Sequence, residues 1–151
     1  MKHPVNDRNL ITTRVLRAAP AAAFDAWQQP EKLAEWWGPD GFTLTTHAMD
    51  FRAGGRWRFT MHGPDGRDYD NEIEYVAIEA PHHIHYRHVG APDTEPVRFE
   101  THVTFAALGD RTLLTMEARF PSNEELTRVE NEYGAAIGML QTVARLAGLF
   151  E

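Results

Sequence analysis

PSNEELTRVENEYGAAIGMLQTVARLAGLF, residues 121–150, is the stretch whose reading decides the fold. Pro121 cannot continue a strand, Ser122 offers a capping hydroxyl, and Glu124 and Glu125 put carboxylates in a first helical turn. The Ser122/Glu125 spacing is that of a capping box. Leu126, Val129, Tyr133, Ile137, Leu140, Ala144 and Ala147 then recur at three- and four-residue steps, so they share one helix face. A second stripe of Met139, Val143, Leu146 and Phe150 begins further on. The expectation is one long helix, buried on one face early and on two faces late. At the usual rise it is roughly 40 Å long, enough to cross a whole sheet.

Outward from the helix, everything before it reads mostly as strands. Segments 111–120 and 97–107 form a hairpin turned at Leu108-Gly109-Asp110, and 82–89 precedes a loop from Gly90 to Pro96. Segment 69–80 is closed by Pro81. In 56–62, Trp57, Phe59 and Met61 alternate with Arg56, Arg58, Thr60 and His62, the clearest one-face-in pattern of the chain. Segment 42–50 precedes it across Gly54-Gly55, a turn or bulge needing positive φ, and Gly63-Pro64-Asp65-Gly66 follows it as a hairpin turn. Two short helices, 21–27 after Pro20 and 31–37 after Pro30, follow a first strand at 10–16.

The fold class is therefore α+β: a curved, largely antiparallel seven-stranded sheet gripping a long C-terminal helix, with two short helices after the first strand. One domain over 9–151 with a flexible polar lead-in at 1–8 accounts for the length. A curved sheet under a single helix does not close everywhere, and an apolar hollow between them is the default ligand site.

Composition narrows the function. No run approaches the ~20 apolar residues of a membrane span, and no basic-then-apolar leader opens the chain, so the cytoplasm is the expected location. The absence of cysteine removes disulfides, thiolate nucleophiles and Cys-ligated metals. A formal net charge of −7 argues against nucleic acid. Ser122, the only serine, is committed as a cap, so no serine triad is available.

The motifs Trp36-Trp37-Gly38-Pro39-Asp40-Gly41-Phe42, Asp50-Phe51-Arg52-Ala53-Gly54-Gly55-Arg56-Trp57, Gly63-Pro64-Asp65-Gly66 and Gly138-Met139-Leu140-Gln141-Thr142-Val143-Ala144-Arg145-Leu146 together resemble the START-like proteins (SRPBCC superfamily). More narrowly, the chain is similar to the homologues of the activator of the heat-shock-protein-90 ATPase. The resemblance spans about residues 9 to 150. It implies a Bet v 1-like helix-grip fold with a pocket between sheet and long helix, and no shared catalytic residue.

Trp37, His47, Met49, Trp57, Phe59, Met61, Tyr75, Tyr86, Phe105, Met116, Tyr133 and Ile137 are the candidate ligand-binding residues, on faces expected to point inward. Tyr and Trp carry polar tips that need partners when buried, and Met adapts its shape to a ligand. For His47 the inner and outer faces are both open readings; Thr45, His47 and Met49 form the inner set in the first of them. Glu72 and Glu74 are expected outside, because Ile73 and Tyr75 claim the inner face. Trp36 and Trp37 lie about 100° apart on a helix, which makes one of them a candidate for an exposed lid or dimer contact; core packing of both is the preferred reading. His82, His83, His85 and His88, with His102 on the next strand, are read as solvated strand histidines; no metal and no cofactor is expected. The function expected is binding of a small apolar or aromatic ligand by a monomer or homodimer. The alternatives are a cyclase or hydrolase using a cavity His or Glu, and a chaperone-cofactor role.

Overall fold

Alternation along the strands builds the frame. The computed structural model describes residues 9–89, 99–133 and 135–151, so the readings of a lead-in at 1–8 and of a loop at 90–96 lie outside the described residues. The strands are β1 (Asn9–Leu16), β2 (Thr43–Met49), β3 (Arg56–His62), β4 (Asp68–Glu79), β5 (His83–His88), β6 (Glu100–Leu108) and β7 (Arg111–Arg119). They form one sheet in the order β1-β7-β6-β5-β4-β3-β2, antiparallel at every pairing. The chain thus runs a meander from β2 to β7 and closes it with β1. Trp57, Phe59, Ile73, Tyr75, Ile84, Tyr86, Val103, Phe105, Leu114 and Met116 alternate onto one buried face. Register shifts at Thr46/Ala48 in β2 and Tyr75/Ala77 in β4 bend two strands where the sheet must curl.

The Gly54-Gly55 turn docks on the second of these bends. Gly54 N–H donates to the Tyr75 carbonyl at 2.7 Å and Tyr75 N–H returns the bond to Gly55 at 2.9 Å. Gly54 adopts φ +84°, as the turn requires, whereas Gly55 is excluded from substitution by space: a Cβ there would sit 2.1 Å from the Asp50 carbonyl oxygen.

Proline opens both short helices, α1 (Pro20–Asp25) and α2 (Pro30–Trp36), at their first position. Both Trp36 and Trp37 are buried, at 0% and 7% exposure, as the preferred reading of core packing for both has it and against the alternative that one faces out. The 100° argument fails because α2 ends between them: Trp37 takes extended angles (φ −68°, ψ 129°), which brings its ring to 5.4 Å from that of Trp36. The Trp36 indole N–H donates to the Ala26 carbonyl at 3.1 Å.

The C-terminal stretch is helical over α3 (Asn123–Tyr133) and α4 (Ala135–Gly148), on either side of undescribed position 134. Ser122 accepts from Glu125 N–H at 3.1 Å, as a cap does, while the Glu125 carboxylate pairs with Arg128. Glu130 accepts from the Ala136 N–H at 2.8 Å and so caps the start of α4. The expected leading stripe is corrected here. Ile137 and Leu140 are 63% and 58% exposed, and Ala144 is exposed with them. The buried stripe is Val143, Leu146 and Ala147, with Met139 and Phe150 packed at its ends. Of the first stripe, Leu126 packs against the Phe120 group and Ala147 is buried, but its middle is exposed; there the contacts of α4 with β1 and α2 select the second stripe.

Arg145 explains why the Trp36–Phe42 and Gly138–Leu146 motifs occur together. Its guanidinium donates to the carbonyls of Gly38 (2.9 Å), Pro39 (3.1 Å), Trp37 (3.4 Å) and Glu35 (3.3 Å), which satisfies the end of α2. One turn earlier, Gln141 accepts from Asp40 N–H at 3.1 Å.

Candidate functional site

The inner face carries one row of aromatic rings with two different ends. At the end under α1 and α2, Trp57 and Phe59 stack at 4.0 Å, and Trp37 meets them edge-on at 4.8 and 5.9 Å. Trp27 sits edge-on to Phe105 at 6.1 Å, and the Trp57 indole N–H donates to Thr46 at 3.0 Å. Seven of the candidates, Trp37, Trp57, Phe59, Tyr75, Tyr86, Phe105 and Met116, belong to this single packed cluster, with Met49 and Met61 against its edge. Burial raises the ionisation of the Tyr75 and Tyr86 phenols well above the ordinary range, so both are neutral hydrogen-bonding groups at physiological pH.

At the other end the row continues as His88, Phe99 and Phe120, which pattern reasoning did not single out. His88 stacks on Phe99 at 4.3 Å and Phe99 on Phe120 at 4.9 Å. Leu10, Leu126 and Met139 pack on this group. A hollow of about 550 Å³ opens beside it, lined by Arg87, His88, Val89, Phe99, Glu100, Arg119, Phe120 and Pro121. His88 Nδ1 is buried and has no hydrogen-bond partner among the described residues. Burial pushes its pKa down to about 4, so the imidazole is neutral. The signal was present in the alternation of Ile84, Tyr86 and His88 along β5, which puts His88 on the inner face; its place in a histidine-rich run disguised it.

Two candidates lie elsewhere. Ile137 is on the exposed side of α4. His47 is exposed on the outer face, because the bulge after Thr46 breaks the strand parity. Thr46 and Met49 face in, and Thr45 and His47 face out. His47 Nε2 lies 2.7 Å from the Thr60 hydroxyl, which donates to Asp70 at 2.7 Å. The Tyr133 side chain lies outside the described residues. Glu72 and Glu74 face outward as expected: Glu72 pairs with Arg56 at 2.6 Å and Glu74 with Arg87 at 2.5 Å.

No curated protein matches the chain. Solved structures do. A protein from Arthrobacter aurescens is 25% identical, with a TM-score of 0.89 over 99% of this chain and 89% of its own. One from Mycobacterium smegmatis is 24% identical, with a TM-score of 0.84 over 99% and 94%. The AHSA1 protein from Silicibacter pomeroyi is 20% identical, with a TM-score of 0.73 over 93% and 96%. These likenesses agree with the helix-grip architecture of sheet, short helices and C-terminal helix. The model of the activator of Hsp90 ATPase homolog 1-like proteins matches residues 17–151, nearly the whole chain, and the chain belongs to that family.

Proposed function

We propose that this protein binds a small, largely apolar or aromatic ligand at the hollow end of the grip, with His88 as its polar anchor. The observation that carries the reading is the unpartnered Nδ1 of His88, buried beside a hollow and flanked by the Phe99 ring. A buried polar atom left unpaired costs roughly 1–3 kcal/mol, and a ligand that supplies the missing hydrogen bond recovers that cost on binding. Phe99, Phe120, Val89 and Pro121 offer apolar contact, while Arg87, Glu100 and Arg119 ring the mouth. In this reading Tyr86 and Met116 form the deeper wall, and the tryptophans hold the closed end rigid.

Binding is favoured over turnover. His47, the acid–base candidate, faces out, and His88 with its lowered pKa is a weak base whose Nδ1 meets no carboxylate among the described residues. Among the described residues of α3 and α4, Ile137 and Leu140 are the two exposed large apolar side chains, small for a partner-binding patch of the chaperone-cofactor kind. The same reading keeps the cytoplasm as the place of action and a monomer or homodimer as the working form. No helix among the described residues is long and apolar enough to cross a membrane.

Native mass spectrometry of the protein from its own host, set against the denatured mass, tests the proposal. A reproducible small-molecule adduct is expected, lost in Phe99→Ala and weakened in His88→Phe but retained in Phe59→Leu at the closed end. An adduct indifferent to Phe99 and His88, or sensitive only to Phe59, moves the site away from the hollow.

A further inference from the structure

On the opposite face of the sheet, three histidines of β5 and β6 come together. His83 and His85 are two residues apart on β5, and His85 faces His102 directly across the ladder. His83 Nε2 lies 3.0 Å from His102 Nδ1. The His85 ring stacks on that of His102 at 3.9 Å and 17°. Carboxylates hold the outer nitrogens: Glu79 is 3.1 Å from His83 Nδ1 and Glu100 is 2.7 Å from His85 Nε2. A histidine that gives one ring nitrogen to a carboxylate and turns the other toward a second imidazole is arranged as ligating histidines are.

The geometry points to a two-nitrogen chelate for a divalent transition ion of the Cu²⁺ or Ni²⁺ type, formed by His83 Nε2 and His102 Nδ1. At metal–nitrogen distances of roughly 2.0–2.1 Å, two nitrogens 3.0 Å apart subtend about 90° at the ion. That is the cis angle of tetragonal coordination, narrower than the tetrahedral angle of a structural zinc site. Among the described residues no three such side chains form a metal-holding group, so the proposed site has two protein ligands and leaves the remaining positions to water. His85 braces the His102 ring, and Glu79 orients His83. Binding at Nδ1 puts His102 in the tautomer that carries its single proton on Nε2, so the proton between the two nitrogens moves to the far side of that ring with no net release, and both rings swing off their common axis to admit the ion. Glu79 on β4, Glu100 on β6 and Glu117 on β7 offset the charge of Arg87 and Arg119 around it.

Titration with Cu²⁺ of the full chain carrying His3→Gln, which removes the histidine of the copper-binding Met1-Lys2-His3 spacing, tests this when read by electron paramagnetic resonance. One equivalent is expected to bind with the hyperfine pattern of two nitrogens. His83→Gln and His102→Gln should each remove one nitrogen and weaken binding at least about tenfold, while Glu79→Gln should keep both nitrogens and weaken binding by roughly 10–100-fold. His82→Gln, a control outside the cluster, should change neither. Paramagnetic broadening by Cu²⁺ in the same His3→Gln chain gives a readout with the cluster intact: the amides of 83–85 and 101–103 should broaden first. Broadening centred elsewhere, a nitrogen count unchanged in either histidine variant, an effect of His82→Gln, or Zn²⁺ held more tightly than Ni²⁺ overturns the proposal.

Discussion

The two ends of the inner aromatic row are built from similar side chains and behave differently. Each contains a buried ring nitrogen without a hydrogen-bond partner: Trp27 Nε1 at the closed end and His88 Nδ1 at the open one. Trp27 is walled in by Trp36 at 4.6 Å, Trp37 at 5.9 Å and Phe105 at 6.1 Å. His88 instead lines a hollow. The closed end carries α1, α2 and the Arg145 clamp, whereas the cluster at the open end is smaller and borrows Leu126 from α3 and Met139 from α4. Aromatic character along a strand thus says that a face is buried. What lies over it decides whether the rings are core or lining.

The sharpest test of the closed end is Trp36→Ala, which removes a fully buried indole and its bond to Ala26. A loss of about 4 kcal/mol is expected in urea unfolding, within the range for aromatic truncation in cores. A loss near 1 kcal/mol would mean that this end is as loosely covered as the other.

The open end should reveal itself through pH. His88 titrates near 6.5 when unfolded and near 4 when folded. Above pH 6.5 both states hold a neutral imidazole and its contribution is complete. As the pH falls from about 6.5 to 4, the unfolded chain takes up a proton that the folded chain refuses, so stability is lost across that window, by up to roughly 3 kcal/mol. His88→Phe should flatten the difference between stabilities measured at pH 7 and pH 4.5. An unchanged slope would place the acid sensitivity elsewhere.

Arg145→Met sharpens the account of what closes one end. It keeps the apolar stem of the side chain but leaves the carbonyls of Glu35, Trp37, Gly38 and Pro39 without their donor, with an expected cost of about 2 kcal/mol. Hydrogen exchange should quicken in α2 and leave β5 and β6 unaffected. The smallest effect belongs to Ile137→Ser and Leu140→Ser, each within about 0.5 kcal/mol because both side chains already face solvent. A loss of several kcal/mol would restore the first apolar stripe of the C-terminal helix as the buried one.

Periodicity and turn chemistry carried much of this molecule. The alternation in 56–62 gave the inner face of β3, the prolines at 20 and 30 gave both short helices, and Ser122 gave the start of α3. Those features are legible because each depends on residues only a few positions apart. Glu72 and Glu74 were readable as outward for the same reason. His47 was not, because the bulge beside it shifts parity by one residue, and nothing in Thr45-Thr46-His47-Ala48-Met49 announces it.

The remaining decisions needed partners distant along the chain. Trp36 and Trp37 are both buried because α2 stops between them and Arg145, more than a hundred residues away, holds that end in place. Val143 and Leu146 face the core in place of Ile137 and Leu140 because β1 and α2 lie on that side of α4. His88 differs from its neighbours His83 and His85 because one strand turns it inward against Phe99 and turns them outward toward His102. A local pattern can say that a side chain is apolar or titratable and which of its neighbours share its face. Only the assembled layers say what covers that face, and burial, pKa and the fate of an unpaired nitrogen follow from the cover.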